Sequence, residues 1–112
     1  MNKDVADLWI KALRSGNYKQ TESKLERNGN FCCLGVLCKV AQENNVEVLM
    51  NGDQLHGGSL IVQKEVIKWS GVRSLSGVIK GHLGSCLTAM NDSGEYDFKS
   101  LANVIEENWE TL

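Results

Sequence analysis

Apolar residues near the start of the chain recur at the spacing of one helical face. Val5, Leu8, Trp9, Ala12 and Leu13 stand at i, i+3, i+4, i+7 and i+8. The pattern predicts an amphipathic helix over residues 3–15, capped by Asn2 or Asp4 and stopped at Ser15-Gly16. Arg14 in its last turn complements the helix dipole. Residues 17–30 are polar and aperiodic, with a short strand expected around Lys24–Arg27 and a turn at Asn28-Gly29. A connection of that length reads as a binding loop. The run 31–44 is apolar around most of its circumference, which predicts a central buried helix. Gly35 weakens that helix but permits close approach of another backbone or a ligand.

Beyond residue 45 the period changes. Val46, Val48 and Met50 alternate with Glu47 and Leu49, and Leu60-Ile61-Val62 follows Asn51-Gly52. This predicts a hairpin with a loop of eight to ten residues. Residues 63–70 predict a short helix with Val66, Ile67 and Trp69 inward, ended by Gly71. A third strand is expected at Gly77–His82 and one or two helical turns at Ser85–Met90, closed by Asn91-Asp92-Ser93-Gly94. In the last helix, Asp97 is the N-cap and Phe98, Leu101, Ala102, Ile105, Trp109 and Leu112 form one stripe. Glu106, Glu107 and Glu110 lie off the stripe and oppose the dipole; they read as a solvated acidic face, or as carboxylates offset by a partner or a basic neighbour.

With 112 residues, these elements predict one domain over 1–112, of α+β class, with about four helices and a small antiparallel sheet around the helix at 31–44. A net charge of −2 argues against a broad basic face and so against extended nucleic acid as a partner. The hydrophobic fraction of 42% and charged fraction of 23% argue against disorder. No apolar run suits a membrane span, and the N-terminal stretch lacks the apolar core of a signal peptide. The expected location is cytoplasmic, without a membrane partner.

Motif chemistry is sparse. Phosphate-loop, nucleophile-elbow, zinc-protease and dinucleotide fingerprints are all missing, so no cofactor is expected. Cys32, Cys33, Cys38 and Cys86 lack the Cys-x2-Cys spacing of zinc sites, and three of them sit in an apolar run. They read as buried structural thiols rather than metal ligands. His56 and His82, each beside glycines, could act as acid and base on a phosphodiester, or be exposed bystanders. The stretch from Arg14 to Gln20 combines the group types that nucleotide pockets use. Its plainer reading is a capped helix end with a packed tyrosine. Asn91 and Asp92 are ordinary turn formers, or contacts to a base or ribose edge.

Several motifs together carry a family resemblance. Trp9-x3-Leu13-Arg14-Ser15-Gly16-x-Tyr18-x-Gln20, Phe31-Cys32-Cys33-Leu34-Gly35-Val36-Leu37-Cys38, Val66-x2-Trp69-x-Gly71, Asn91-Asp92-x-Gly94 and Phe98-x6-Ile105-Glu106 run through most of the chain. The pattern resembles a group of small phage and prophage proteins. In that group the helix before the tryptophan often begins Leu-Pro, where this chain has Val62-Gln63. Small accessory phage proteins of this size often counter host defence, and one class captures nucleotide immune signals without cleaving them. The resemblance therefore implies a counter-defence protein in the host cytoplasm that sequesters a cyclic ADP-ribose-type or cyclic dinucleotide signal. Arg14 or Lys19 would hold phosphate and Tyr18 would stack, while Ser15, Gln20, Asn91 and Asp92 complete the ligand-binding set. A domain this small has little room for an enclosed pocket, so a homo-oligomer with pockets between subunits is expected. The alternatives are a phosphodiesterase using His56 and His82, and a protein-binding inhibitor using Trp109 and its neighbouring glutamates.

Overall fold

The computed structural model describes residues 1–79 and 86–112. Helix α1 (Lys3–Arg14) begins where Asn2 accepts hydrogen bonds from the Asp4 and Val5 N–H groups. A tight ribbon follows, β1 (Glu26–Arg27) antiparallel to β2 (Asn30–Phe31). Its turn residues, Asn28 and Gly29, take φ of 52° and 81°, the left-handed pair that a two-residue hairpin turn demands. Helix α2 (Cys33–Glu43) comes next, then a second ribbon, β3 (Met50–Asn51) with β4 (Gln54–Leu55). A 3-10 turn (Leu60–Val62) leads into α3 (Lys64–Ser70). Helices α4 (Leu87–Asp92) and α5 (Phe98–Asn108) and a last 3-10 turn (Trp109–Thr111) complete the described chain. The fold is α+β, with five helices and two small antiparallel ribbons among the described residues. No described helix is long and apolar enough to cross a membrane.

Helix α2 is the centre, as its apolar circumference requires. It touches α1, α3 and α4, and α1 also lies along α5. Eight of its residues are buried, from Cys33 through Ala41. Trp9 of α1 is buried against its start, and the indole Nε1–H donates to the Cys33 carbonyl at 2.8 Å. A large ring and a satisfied buried donor thus fix the α1–α2 contact together.

The boundaries differ from the sequence expectation where tertiary hydrogen bonds intervene. Phe31 is strand rather than helix, because its N–H donates to Lys19 O and its carbonyl accepts from Thr21 N–H. Leu60-Ile61-Val62 is a 3-10 turn rather than a strand, because Ser59 accepts from the Ile61 N–H and Leu60 turns inward. The second hairpin is accordingly tight, with Gly52 at φ 67° in its turn. Asn91 and Asp92 belong to α4 and only Ser93-Gly94 remains as the turn. Of the strand expected at Gly77–His82, Val78 bridges to Cys86, and residues 80–82 lie outside the described residues, as does Ser85 at the start of the next expected helix.

Candidate functional site

The long polar segment before α2 is held in place by its own backbone. Gln20 bridges in parallel to Phe31. Leu25 is fully buried, its N–H donates to Gly57 O, and its carbonyl accepts from Cys32 N–H. Gly35 packs directly on that carbonyl. Burial of one leucine contributes roughly 1.5–3 kcal/mol, enough to anchor a segment otherwise made of polar residues.

Three of the candidate ligand residues meet in one network. Asn91 is 1% exposed. Its Oδ1 accepts from Gln20 Nε2 at 2.9 Å and from the Cys33 N–H at 3.1 Å. Its Nδ2 donates to Thr21 O at 2.8 Å and to Asp92 Oδ1 at 3.0 Å. Gln20 Nε2 also donates to Tyr96 O, and Asp92 Oδ1 accepts from the Ser23 N–H. The start of α2 explains the arrangement. Its N-cap is Cys32, whose sulfur is a weak acceptor for the Gly35 N–H at 3.4 Å. The buried Cys33 N–H is one of the donors a helix start leaves without an intrahelical partner. Asn91 supplies that partner from a helix far away in sequence.

The other candidates lie apart from this network. Arg14 forks onto Glu106 of α5, with nitrogen–oxygen distances of 3.0 and 3.3 Å, and donates to Asn103. The hydrogen bond raises the guanidinium pKa and holds the Glu106 carboxyl below its usual range. This is the basic neighbour that α5 needs near its end. Ser15 caps α1, donating to Ala12 O and accepting from Asn17 N–H. Tyr18 meets Phe31 edge-on, with centroids 5.4 Å apart, and donates its phenol to Glu43 at 3.0 Å. Burial, then Glu43, pushes that phenol up and keeps it protonated. Lys19 contributes its carbonyl to the Phe31 N–H, and its side chain is exposed.

Two polar clefts border this framework. One, of about 450 Å³, lies beside Gln20 and Asn91 and is lined by Glu22, Glu95 and Asp97. Asp97 caps α5, and the Ser100 N–H and hydroxyl hold its carboxyl below the usual range. Three carboxylates make this cleft hostile to phosphate. The second, of about 360 Å³, is lined by Ser23, Lys24, Asn51, His56, Gly57 and Gly58. Glu26 and Gln54 also border it, but Glu26 Oε1 accepts from the Leu55 N–H and Gln54 Oε1 from the Asn28 N–H. Lys24 has no ion-pair partner among the described residues. The two ribbons bring Lys24 and His56 to one cleft, a juxtaposition that follows from the Leu25–Gly57 hydrogen bond. Sequence reasoning singled out His56 and missed Lys24, since nothing local ties residues so far apart. His82 lies outside the described residues.

Among the described residues no group of three or more His, Cys, Asp or Glu side chains could hold a metal ion. Cys32, Cys33 and Cys38 are buried, and desolvation pushes all three thiols up, Cys38 to about 12. At Cys86 burial also raises the pKa, but hydrogen bonds with Thr88, the Ala89 N–H and Ser76 outweigh it and the net shift is downward. A disulfide-exchange reagent added to native protein at pH 8 should therefore modify one thiol quickly, Cys86, and the others only on unfolding. A second fast thiol, located by peptide mapping, would contradict the burial of the α2 cysteines.

Residues 1–109 match a family described as a domain of unknown function, DUF8296. The chain belongs to that family. No curated protein and no solved structure matches it.

Proposed function

We propose that this protein is a non-catalytic binder that captures a small nucleotide-derived signal of the cyclic ADP-ribose or cyclic dinucleotide type, in the manner of a phage counter-defence protein. The phage setting rests on the resemblance described above. The ligand class rests on one observation, the cleft where Lys24 and His56 face glycine backbone, small polar side chains and a single carboxylate, Glu26, which accepts from the Leu55 N–H. Lysine offers phosphate a compact charge, imidazole and amides offer donors to base and ribose, and Gly57-Gly58 lets a ligand approach the main chain. Its volume of about 360 Å³ suits part of a dinucleotide rather than all of one, so the remainder would extend beyond the cleft. Electrostatics select this cleft over the larger one, where phosphate would meet Glu22, Glu95 and Asp97.

Calorimetric titration with cyclic ADP-ribose and cyclic di-GMP tests the reading, with mass analysis of the recovered nucleotide. Binding of either is expected, with the nucleotide released intact by heat. Lys24→Glu should weaken binding about tenfold or more, since it reverses a charge beside phosphate. Arg14→Ala should leave affinity within about twofold, because Arg14 is engaged with α5. No binding by the wild-type protein, a cleaved product, or loss through Arg14 rather than Lys24 would each overturn the proposal.

A further inference from the structure

A different surface carries an inference that stands without the ligand reading. Ile61 is 60% exposed and Leu49 48% exposed, and the two share one surface. They line one groove of about 430 Å³ together with Val62. Its base is built rather than loose. Gln63 is buried at 1% exposure, its Oε1 accepts from the Leu49 N–H, and its Nε2 donates to Leu49 O and His56 O. One side chain thus clamps the loop before β3 to the turn that carries Ile61, so the apolar walls are preorganised.

The rim identifies the occupant. Glu47, Lys64 and Glu65 border the groove, and none has an ion-pair partner among the described residues. A twofold contact places a patch against itself, so it needs an apolar centre and a rim carrying both charges. This patch has both. Lys64 of one copy would meet Glu47 or Glu65 of the other, twice over, while Ile61 of each enters the groove of its mate. We infer that the Leu49–Ile61–Val62 face is where a second copy of this chain docks. A stable dimer buries about 800 Å² per copy, a modest part of the 6237 Å² surface. Because Leu49 O accepts from the His56 N–H, the second copy would also stand at the edge of the His56 cleft.

Sedimentation equilibrium of the full chain tests this. Wild-type protein at about 50 μM is expected to be dimeric. Ile61→Asp should raise the dimer dissociation constant about tenfold or more without loss of helical circular dichroism, since Ile61 is exposed. Lys64→Glu should weaken self-association, and mixing it with a Glu47→Lys, Glu65→Lys variant should restore a mixed dimer. A wild-type monomer at that concentration would overturn the inference, leaving a different protein as the groove's occupant. So would a dimer that survives Ile61→Asp, or the absence of the mixed dimer.

Discussion

Gly35→Ala should destabilise the protein by about 3 kcal/mol or more and lower its melting temperature by roughly 10 °C or more. The ordinary rule for this substitution has the opposite sign. Gly35 lies inside α2 with no positive φ, and alanine in a helix interior is about 1 kcal/mol better than glycine. Here a Cβ would overlap the Leu25 carbonyl oxygen and crowd the carbon and Cα of the same residue. All three atoms are backbone, so no rotamer change relieves the overlap. Nor is that backbone free to retreat. Leu25 N–H is bonded to Gly57 O, its carbonyl receives the Cys32 N–H, and its side chain is fully buried. The substitution must therefore move either the central helix or the segment that leads into β1 and is hydrogen-bonded to Gly57. Thermal and urea melts of the two proteins decide the point. Equal or greater stability in the variant would mean that Leu25 does not lie on α2 as described.

The same residue shows how far the fold was legible. Glycine in an otherwise apolar helical run signalled close approach, but the sequence did not say of what. Helices α1 and α5 were readable because their burial follows a 3.6-residue period and Asn2 and Asp97 mark their starts, and α2 because its apolar run is nearly continuous. The first hairpin was readable because Asn28-Gly29 suits a left-handed turn. Leu60-Ile61-Val62 misled because three apolar residues fit a strand as well as a turn that buries Leu60 alone, and Ser59 settles it only through a local cap. The candidate site was less legible for a related reason. Arg14, Tyr18, Gln20, Asn91 and Asp92 carry groups able to hold a nucleotide, and such groups serve equally well to hold the chain together. Their partners are Glu106, Glu43, Tyr96, Cys33 and Ser23, all distant in sequence and brought close only by folding. His56 stood out by its glycine neighbours, but Lys24 did not, because their association depends on hairpin geometry and not on any spacing.

Asn91 is the residue where this distinction between holding a ligand and holding the fold is sharpest. Replacing it with alanine should cost about 3–4 kcal/mol, a large part of the 5–15 kcal/mol that stabilises a typical domain. An amide offers two lone pairs and two donor hydrogens. All four are engaged at Asn91, by Gln20, the Cys33 N–H, Thr21 O and Asp92. Truncation leaves the Cys33 N–H without its partner inside the core, at the start of the helix around which the domain is built. Asn91→Asp separates hydrogen bonding from shape. It keeps the side-chain volume and both acceptors, but near neutral pH it turns a carboxylate oxygen toward Thr21 O and the Asp92 carboxylate, where Asn91 has a donor. The expected loss at pH 7 is as large as that of Asn91→Ala or larger, because an unpaired buried charge is added to the missing bonds. Acidification should narrow the difference from wild type measured at the same pH. A protonated carboxyl regains one donor and removes the repulsion from Asp92. Urea melts of the three proteins between about pH 4 and pH 7 read the effect directly. If Asn91→Asp is as stable as wild type throughout, Asn91 does not knit Gln20, α2 and α4 together. If Asn91 proves neutral to stability but required for nucleotide capture, it returns to the ligand set and the proposed cleft at Lys24 and His56 is not the site.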